Sequence, residues 1–221
     1  IFFDILTYVK KHQAEFIVLS GRSLSWGHFI LTHFDLNYCI MEGGGVIVYR
    51  DSEGKIREKN LVSDDEITDL EKITEKLQQE IAGVVMSADS YGRRTDRAIE
   101  FADMDTLSAK KMCAFLDDET VNYSKSNVHI NFWRGEVSKA RGAQQFMKQF
   151  YPEVVESDVC FFGDAANDES MFEHFSHTVG VSNIQDILGE LKFRPKIILE
   201  GAENIGPLGV LNYLKKLWGD S

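Results

Sequence analysis

The sequence predicts an α/β fold in which helices and strands alternate, interrupted between about 60 and 135 by a smaller α+β insert. Three observations carry this. Short apolar runs of strand length stop abruptly at glycine or polar residues near both ends of the chain. Apolar residues recur at helical spacing before or after those runs. From Ser63 to Trp133 the order changes to helix, strand, strand, helix, strand, which strict βα alternation does not produce. A chain of 221 residues accommodates such a core and insert.

In order, Phe2, Ile5, Leu6 and Val9 share one helical face, and Phe16 to Leu19 is an apolar strand ending in SGRS. Leu24 to Phe34 reads as a helix, and Tyr38 to Met41 and Val46 to Tyr49 as strands. The glycines 43–45 lack the Lys-Ser/Thr of a P-loop and precede a strand, so they read as a hairpin turn. Ser63 and Glu66 form a capping-box pattern, and Ile67, Leu70, Thr74, Leu77 and Ile81 continue a helix. Strands at Gly83 to Ala88 and Arg97 to Phe101, a helix from Thr106 to Leu116 and a strand at Asn127 to Trp133 complete the insert. Ala143, Phe146, Met147 and Phe150 then line a helix face. Strands follow at Val159 to Phe162, Thr178 to Val181 and Lys196 to Leu199, and Leu208, Leu211, Leu214 and Leu217 mark a last helix.

Composition narrows the function class. Hydrophobic residues make up 43% and charged residues 27%, with 3 prolines, as in folded globular proteins. A net charge of −11 repels polyanions, so nucleic acid is not an expected partner. No apolar run approaches the ~20 residues that span a bilayer, and IFFDILTYVKK has no small-residue cleavage site, so a cytoplasmic protein without membrane contact is expected. Cys39, Cys113 and Cys160 lack CxxC spacing and sit among apolar residues, as reduced core thiols do.

The densest chemistry is VCFFGDAANDESM at 159–171. An apolar strand delivers Asp164 and Asp168 to one sheet edge, and one or two carboxylates suffice for magnesium when phosphate and water complete its shell. The other reading is a strand-to-helix turn, with Gly163 for the bend and Asn167 or Asp168 as helix N-cap. Ser20 with the Gly21 N–H, Lys139, and the Asp164/Asp168 pair all fall at strand ends or helix starts, where open α/β sheets place ligands. A hydroxyl, an ammonium and a metal-binding pair suit a phosphoryl group, whose transfer depends on positioning and charge neutralisation.

These segments resemble the haloacid dehalogenase-like (HAD) phosphohydrolases, over nearly the whole chain. The similarity is to the subgroup with an α/β cap, which includes Cof-type sugar phosphatases, sucrose-phosphate phosphatase and eukaryotic phosphomannomutase. The resemblance implies a Rossmann-like parallel-sheet core at 1–59 and 136–221 and an α+β cap at 60–135. LSGRS resembles the second family motif, implying that Ser20 and the Gly21 amide bind phosphate. VSKARGAQQFM resembles the third, implying Lys139 as the phosphate-binding lysine; Ala140 and Gly142 replace its commoner glycine and alanine. FFGDAANDESM resembles the fourth, implying Asp164 as a Mg2+ ligand, Asp168 as ligand or supporting partner, and Asn167 near the phosphate. MEGGGVIVY and GPLGVLNYL are similar to the segment before the family's hairpin and to its closing helix.

The first family motif, DxDGT, is absent from the sequence. Asp4 follows Ile1, Phe2 and Phe3 as a nucleophile follows its strand, but Ile5, Leu6 and Thr7 do not continue the motif, and the spacing favours a helix start. In the family that strand is central, so a chain lacking it would open two strand edges. The expectation is that residues are missing before Ile1 or between Asp4 and Ile5.

The implied activity is a Mg2+-dependent phosphatase acting on a small phosphorylated sugar or organic acid through an aspartyl-phosphate. The alternatives are a phosphomutase on the same fold and a catalytically silent binding protein. Candidates for substrate choice in the insert are Arg93, Arg94, Arg97, His129, Asn131 and Arg134.

Overall fold

The structure, a computed structural model, describes residues 1–100, 104–125 and 129–219. The chain divides into two compact units, Ile1–Ile17 with Ala143–Ser221, and Val18–Gly142.

In the first unit, helix α1 (Phe2–Lys11) buries Ile5 and Val9 against Leu211 and Leu214, with Phe16 and Phe162 packed on the same cluster. Helical periodicity prevails over a strand at this end because the buried positions are four residues apart. The other strands and helices of this unit come late in the chain and are numbered after those of the second.

The second unit opens with β1 (Val18–Leu19), then α2 (Leu24–His33), β2 (Tyr38–Met41), β3 (Val46–Arg50) and β4 (Ile56–Asn60). Their sheet runs in the order β1-β2-β3-β4, parallel between β1 and β2 and antiparallel thereafter. The glycine run is the expected hairpin turn, pairing Met41 with Val46. Strand β4 was not anticipated, because IREKN alternates without any strongly apolar residue after Ile56. Helix α3 (Asp64–Glu80) starts with the full capping box, Ser63 and Glu66 each closing on the other's backbone.

Strand β5 (Asp96–Glu100), helix α4 (Thr106–Asp118), β6 (Asn122–Lys125) and β7 (His129–Trp133) follow, in an antiparallel sheet of order β5-β7-β6. Leu70, Leu77, Ile99, Met112, Ile130 and Phe132 form the core that joins the two helices to this sheet. The strand expected at Gly83 to Ala88 is instead a single bridge, Met86 to Ile99, leading into a 3-10 turn at Ala88–Gly92. Gly83 at φ +83° and the Ser87 side chain, which accepts from the Asp89 N–H, break the extended run at both ends. Phe101, and Asn127 with Val128, the expected ends of two strands, lie outside the described residues.

Helix α5 (Lys139–Phe150) contains the boundary between the units. The first unit continues with β8 (Phe161–Gly163), α6 (Glu169–His174), β9 (Thr178–Gly180), β10 (Ile197–Ile198) and α7 (Gly206–Trp218). Its sheet is fully parallel in the order β10-β9-β8. Among the described residues β1 and β8 are therefore each an edge strand of a sheet whose adjoining pair is parallel. No helix among the described residues is long and apolar enough to cross a membrane.

Candidate active site

The candidate residues fall in both units, and each group is built by its own unit. In the first, β8 ends at Gly163 and hands the chain to Asp164, which is exposed at the C-terminal end of a parallel strand. The turn that follows is held from inside. Asp168 is 3% exposed, and its Oδ2 accepts from the Asp164 N–H and the Ala165 N–H, both at 2.9 Å.

This settles why Gly163 is glycine: an added Cβ would lie 2.7 Å from that same Asp168 oxygen. It also resolves the helix-cap reading. Asp168 is the residue before α6, yet it makes no side-chain cap bond there, because its carboxylate is turned back to the strand end. Asn167 is exposed in the 3-10 turn Ala166–Asp168 between them.

One contributor was missed in the sequence. Asn183, just past β9, donates from Nδ2 to Asp164 Oδ2 at 2.6 Å, and its Oδ1 accepts from the Gly206 N–H at the start of α7. The sequence signal was present as a polar residue after an apolar strand, VGVSN, the same pattern that marked Asp164.

Among the described residues no group of three or more His, Cys, Asp or Glu side chains is placed to hold a metal. A divalent cation of the magnesium type does not require one. It takes one or two carboxylates and completes its shell with water and phosphate oxygen. An exposed carboxylate oriented by an amide donor, on a turn braced by a second carboxylate, fits that donor set.

In the second unit, Ser20 and Gly21 follow β1, and the Ser20 Oγ accepts from the Arg22 N–H at 3.2 Å. Lys139, 7% exposed, is the first residue of α5. Both segments are packed on the glycine turn after β2. The Gly43 N–H donates to the Ser20 carbonyl at 3.0 Å, and a Cβ at Gly44 would lie 2.1 Å from the Ser138 carbonyl oxygen. Gly142 approaches the same turn, where a Cβ would come within 2.6 Å of Gly44 Cα. The glycines thus let two backbone segments, one ending in a hydroxyl and one in an ammonium, share one turn.

The remaining candidates are placed differently. Asp4 is exposed in the first turn of α1 and does not end a strand, which removes the strand-end geometry of a nucleophile. Arg93 is nearly buried and clasps Asp89 and Asp96. Arg94 pairs with Glu58, Arg134 with Asp69 and His129 with Glu100, while Asn131 donates to Asp96. Arg97 donates to the carbonyls of Arg94 and Asp96. These contacts lie within the insert, except that of Arg94, whose partner Glu58 is on β4. Burial pushes the Asp96 carboxyl up to about 6, the nearby Glu42 charge adding to the effect and Arg93 opposing it.

Comparison with known proteins adds an independent finding. The family model described as haloacid dehalogenase-like hydrolase matches residues 2–106 and 98–191. No curated protein matches the chain. Similar solved structures include a sucrose-phosphatase from Synechocystis in complex with sucrose and phosphate, with a TM-score of 0.70 and 13% identity over 96% of this chain and 89% of that one. A phosphatase of the haloalkanoate superfamily from Bacteroides thetaiotaomicron gives a TM-score of 0.63 and 16% identity, covering 96% and 85%. A Thermoplasma acidophilum protein gives 0.70 and 13%, covering 96% and 87%. At these identities the likeness is one of fold.

Proposed function

From the premise that the chain belongs to the haloacid dehalogenase-like hydrolases, we propose that it is a Mg2+-dependent phosphatase of a small phosphorylated sugar or organic acid. The observation that carries this is the turn at 163–168, where a buried carboxylate is used to present an exposed one at a parallel strand end.

In this reading Asp164 holds the cation, oriented by Asn183, and Asp168 keeps the turn in shape. A cation held there would supply charge neutralisation on the phosphate. Ser20 Oγ and the Gly21 N–H hydrogen-bond phosphoryl oxygens, Lys139 offsets their charge, and Asn167 adds a polar contact to the same group. Residues 60–135 act as the cap that chooses the substrate.

Turnover through an aspartyl-phosphate needs a carboxylate that attacks phosphorus and a second carboxyl that gives the leaving alcohol its proton; water then cleaves the acyl phosphate. Asp4, followed by Ile5 and Leu6, does not form that pair. The absence of DxDGT from the sequence favours a second reading, a protein that binds a phosphorylated metabolite without turning it over.

Assaying inorganic phosphate release from a panel of sugar phosphates, with and without Mg2+ and without any bisphosphate activator, separates the readings. Metal-dependent release supports the phosphatase. Phosphate binding without release supports the silent protein, and turnover only with a bisphosphate points to a mutase.

A further inference from the structure

Glu42 is the point where three segments of the Val18–Gly142 unit meet. It is 2% exposed and stands at φ +55°, a left-handed conformation that a non-glycine residue seldom adopts. Such a backbone persists where its surroundings hold it, and such positions cluster at functional sites.

The backbone of this turn grips the SGR segment by two carbonyls. The Glu42 N–H donates to the Arg22 carbonyl at 2.9 Å, and the Gly43 N–H to the Ser20 carbonyl at 3.0 Å. The Glu42 carboxylate then reaches further in both directions. Oε1 accepts from the Leu24 N–H, in the first turn of α2, at 2.9 Å. Oε2 accepts from the Thr95 N–H at 2.6 Å and the Thr95 hydroxyl at 2.7 Å, and the Arg94 N–H lies 3.1 Å from both oxygens. Among the described residues every hydrogen-bond partner of this carboxylate is a donor.

That donor set decides the residue type. An ionised carboxylate is acceptor-only, whereas a glutamine amide turns an NH2 group toward N–H donors. Glutamate is the side chain that satisfies all of them, and an aspartate is one methylene short of the span.

We propose that Glu42 is a positioning residue that fixes the Ser20–Arg22 phosphate-binding loop and couples it to residues 94–95 at the head of β5. This rests on the reading of the Ser20 loop as a phosphate site. Phosphate held by that loop is then felt at Arg94 and Thr95, and changes at Thr95 are felt as changed phosphate affinity. The glycine turn accordingly has two tasks, close approach of backbones at Gly44 and a carboxylate clamp at Glu42.

The test uses inorganic phosphate as the probe on the full protein with Mg2+, measuring its Kd by calorimetry and amide hydrogen exchange at residues 94–95. Ser20→Ala establishes whether the loop binds phosphate at all. Glu42→Gln swaps one acceptor for a donor, and Thr95→Val removes only the hydroxyl donor, which keeps the test available if the glutamine variant fails to fold. The expected result is at least a fivefold weaker Kd in Glu42→Gln and about a twofold to threefold weaker one in Thr95→Val. Phosphate should also slow exchange at Arg94 and Thr95 in the wild type but not in Ser20→Ala. If Ser20→Ala weakens phosphate while Glu42→Gln and Thr95→Val bind it as the wild type does, the positioning role is overturned even where melting temperatures fall. If Ser20→Ala leaves the Kd unchanged, the phosphate-loop reading itself fails and Glu42 has nothing to position.

Discussion

Asp168 Oδ2 lies 2.9 Å from the backbone nitrogen of Asp164. The two carboxylates that stand out in the sequence are thus arranged unequally, the second buried beneath the first and shaping the turn that exposes it.

Replacing each by alanine should therefore separate binding from stability. Asp164→Ala should weaken Mg2+ binding at least tenfold with little change in melting temperature, since the side chain is exposed. Asp168→Ala should weaken Mg2+ binding as well, and also destabilise the fold by about 1–3 kcal/mol, because two backbone N–H groups lose their acceptor. Thermal unfolding alongside Mg2+ titration checks both, and equal melting temperatures for the two variants would contradict the division of labour.

The glycine turn after β2 should differ sharply between Gly44 and Gly43 in its tolerance of a side chain. Gly44 has φ +108°, and an added Cβ meets the Ser138 carbonyl oxygen at 2.1 Å, so Gly44→Ala should cost about 2 kcal/mol or more. Gly43→Ala, with open space around the added Cβ, should cost less despite its φ of +66°. Denaturant unfolding of the two variants reads the difference.

Asp96 predicts a pH dependence. Its carboxyl is raised from 3.8 to about 6 by burial and by Glu42 against the opposing Arg93, with Asn131 donating to it. Between those values the folded protein keeps a proton that the unfolded chain has released. Stability from this group is therefore full below the unfolded pKa, falls as pH rises to about 6, and stays lost above. Asp96→Asn should flatten the melting-temperature profile across that window; an unchanged slope would rule the group out as its source.

Cys39 and Cys160 should be inert in the folded state. Burial pushes both thiols up to about 12, leaving almost no thiolate at neutral pH. Reaction with a thiol reagent at pH 8 should leave both residues unmodified until denaturant is added, as peptide mapping of the alkylated protein would show.

Much of this was legible in the chain because its signals are local. The capping box at Ser63 and Glu66, the helical face of Ile5 and Val9, and the strand ending at Gly163 each depend on neighbours a few residues away. What escaped depends on distant ones. Strand β4 owes its place to pairing with β3, and β6 to pairing with β7, while neither segment has a strong apolar pattern. Asn183 gains meaning only from the parallel alignment of β9 beside β8. The glycines at 43–45 read correctly as a hairpin, but their contact with Ser138 lies almost a hundred residues further along. The arginines of the insert looked available to a ligand, and the folded chain has given each an internal partner.

The most direct test of the central claim is the rate of inorganic phosphate release from sugar phosphates by the protein, measured in Mg2+ and in EDTA for the wild type and Asp164→Asn. The account predicts release that requires Mg2+ in the wild type and falls at least a hundredfold in Asp164→Asn, with the variant folded. Release that persists in EDTA, or an Asp164→Asn variant as active as the wild type, would contradict it.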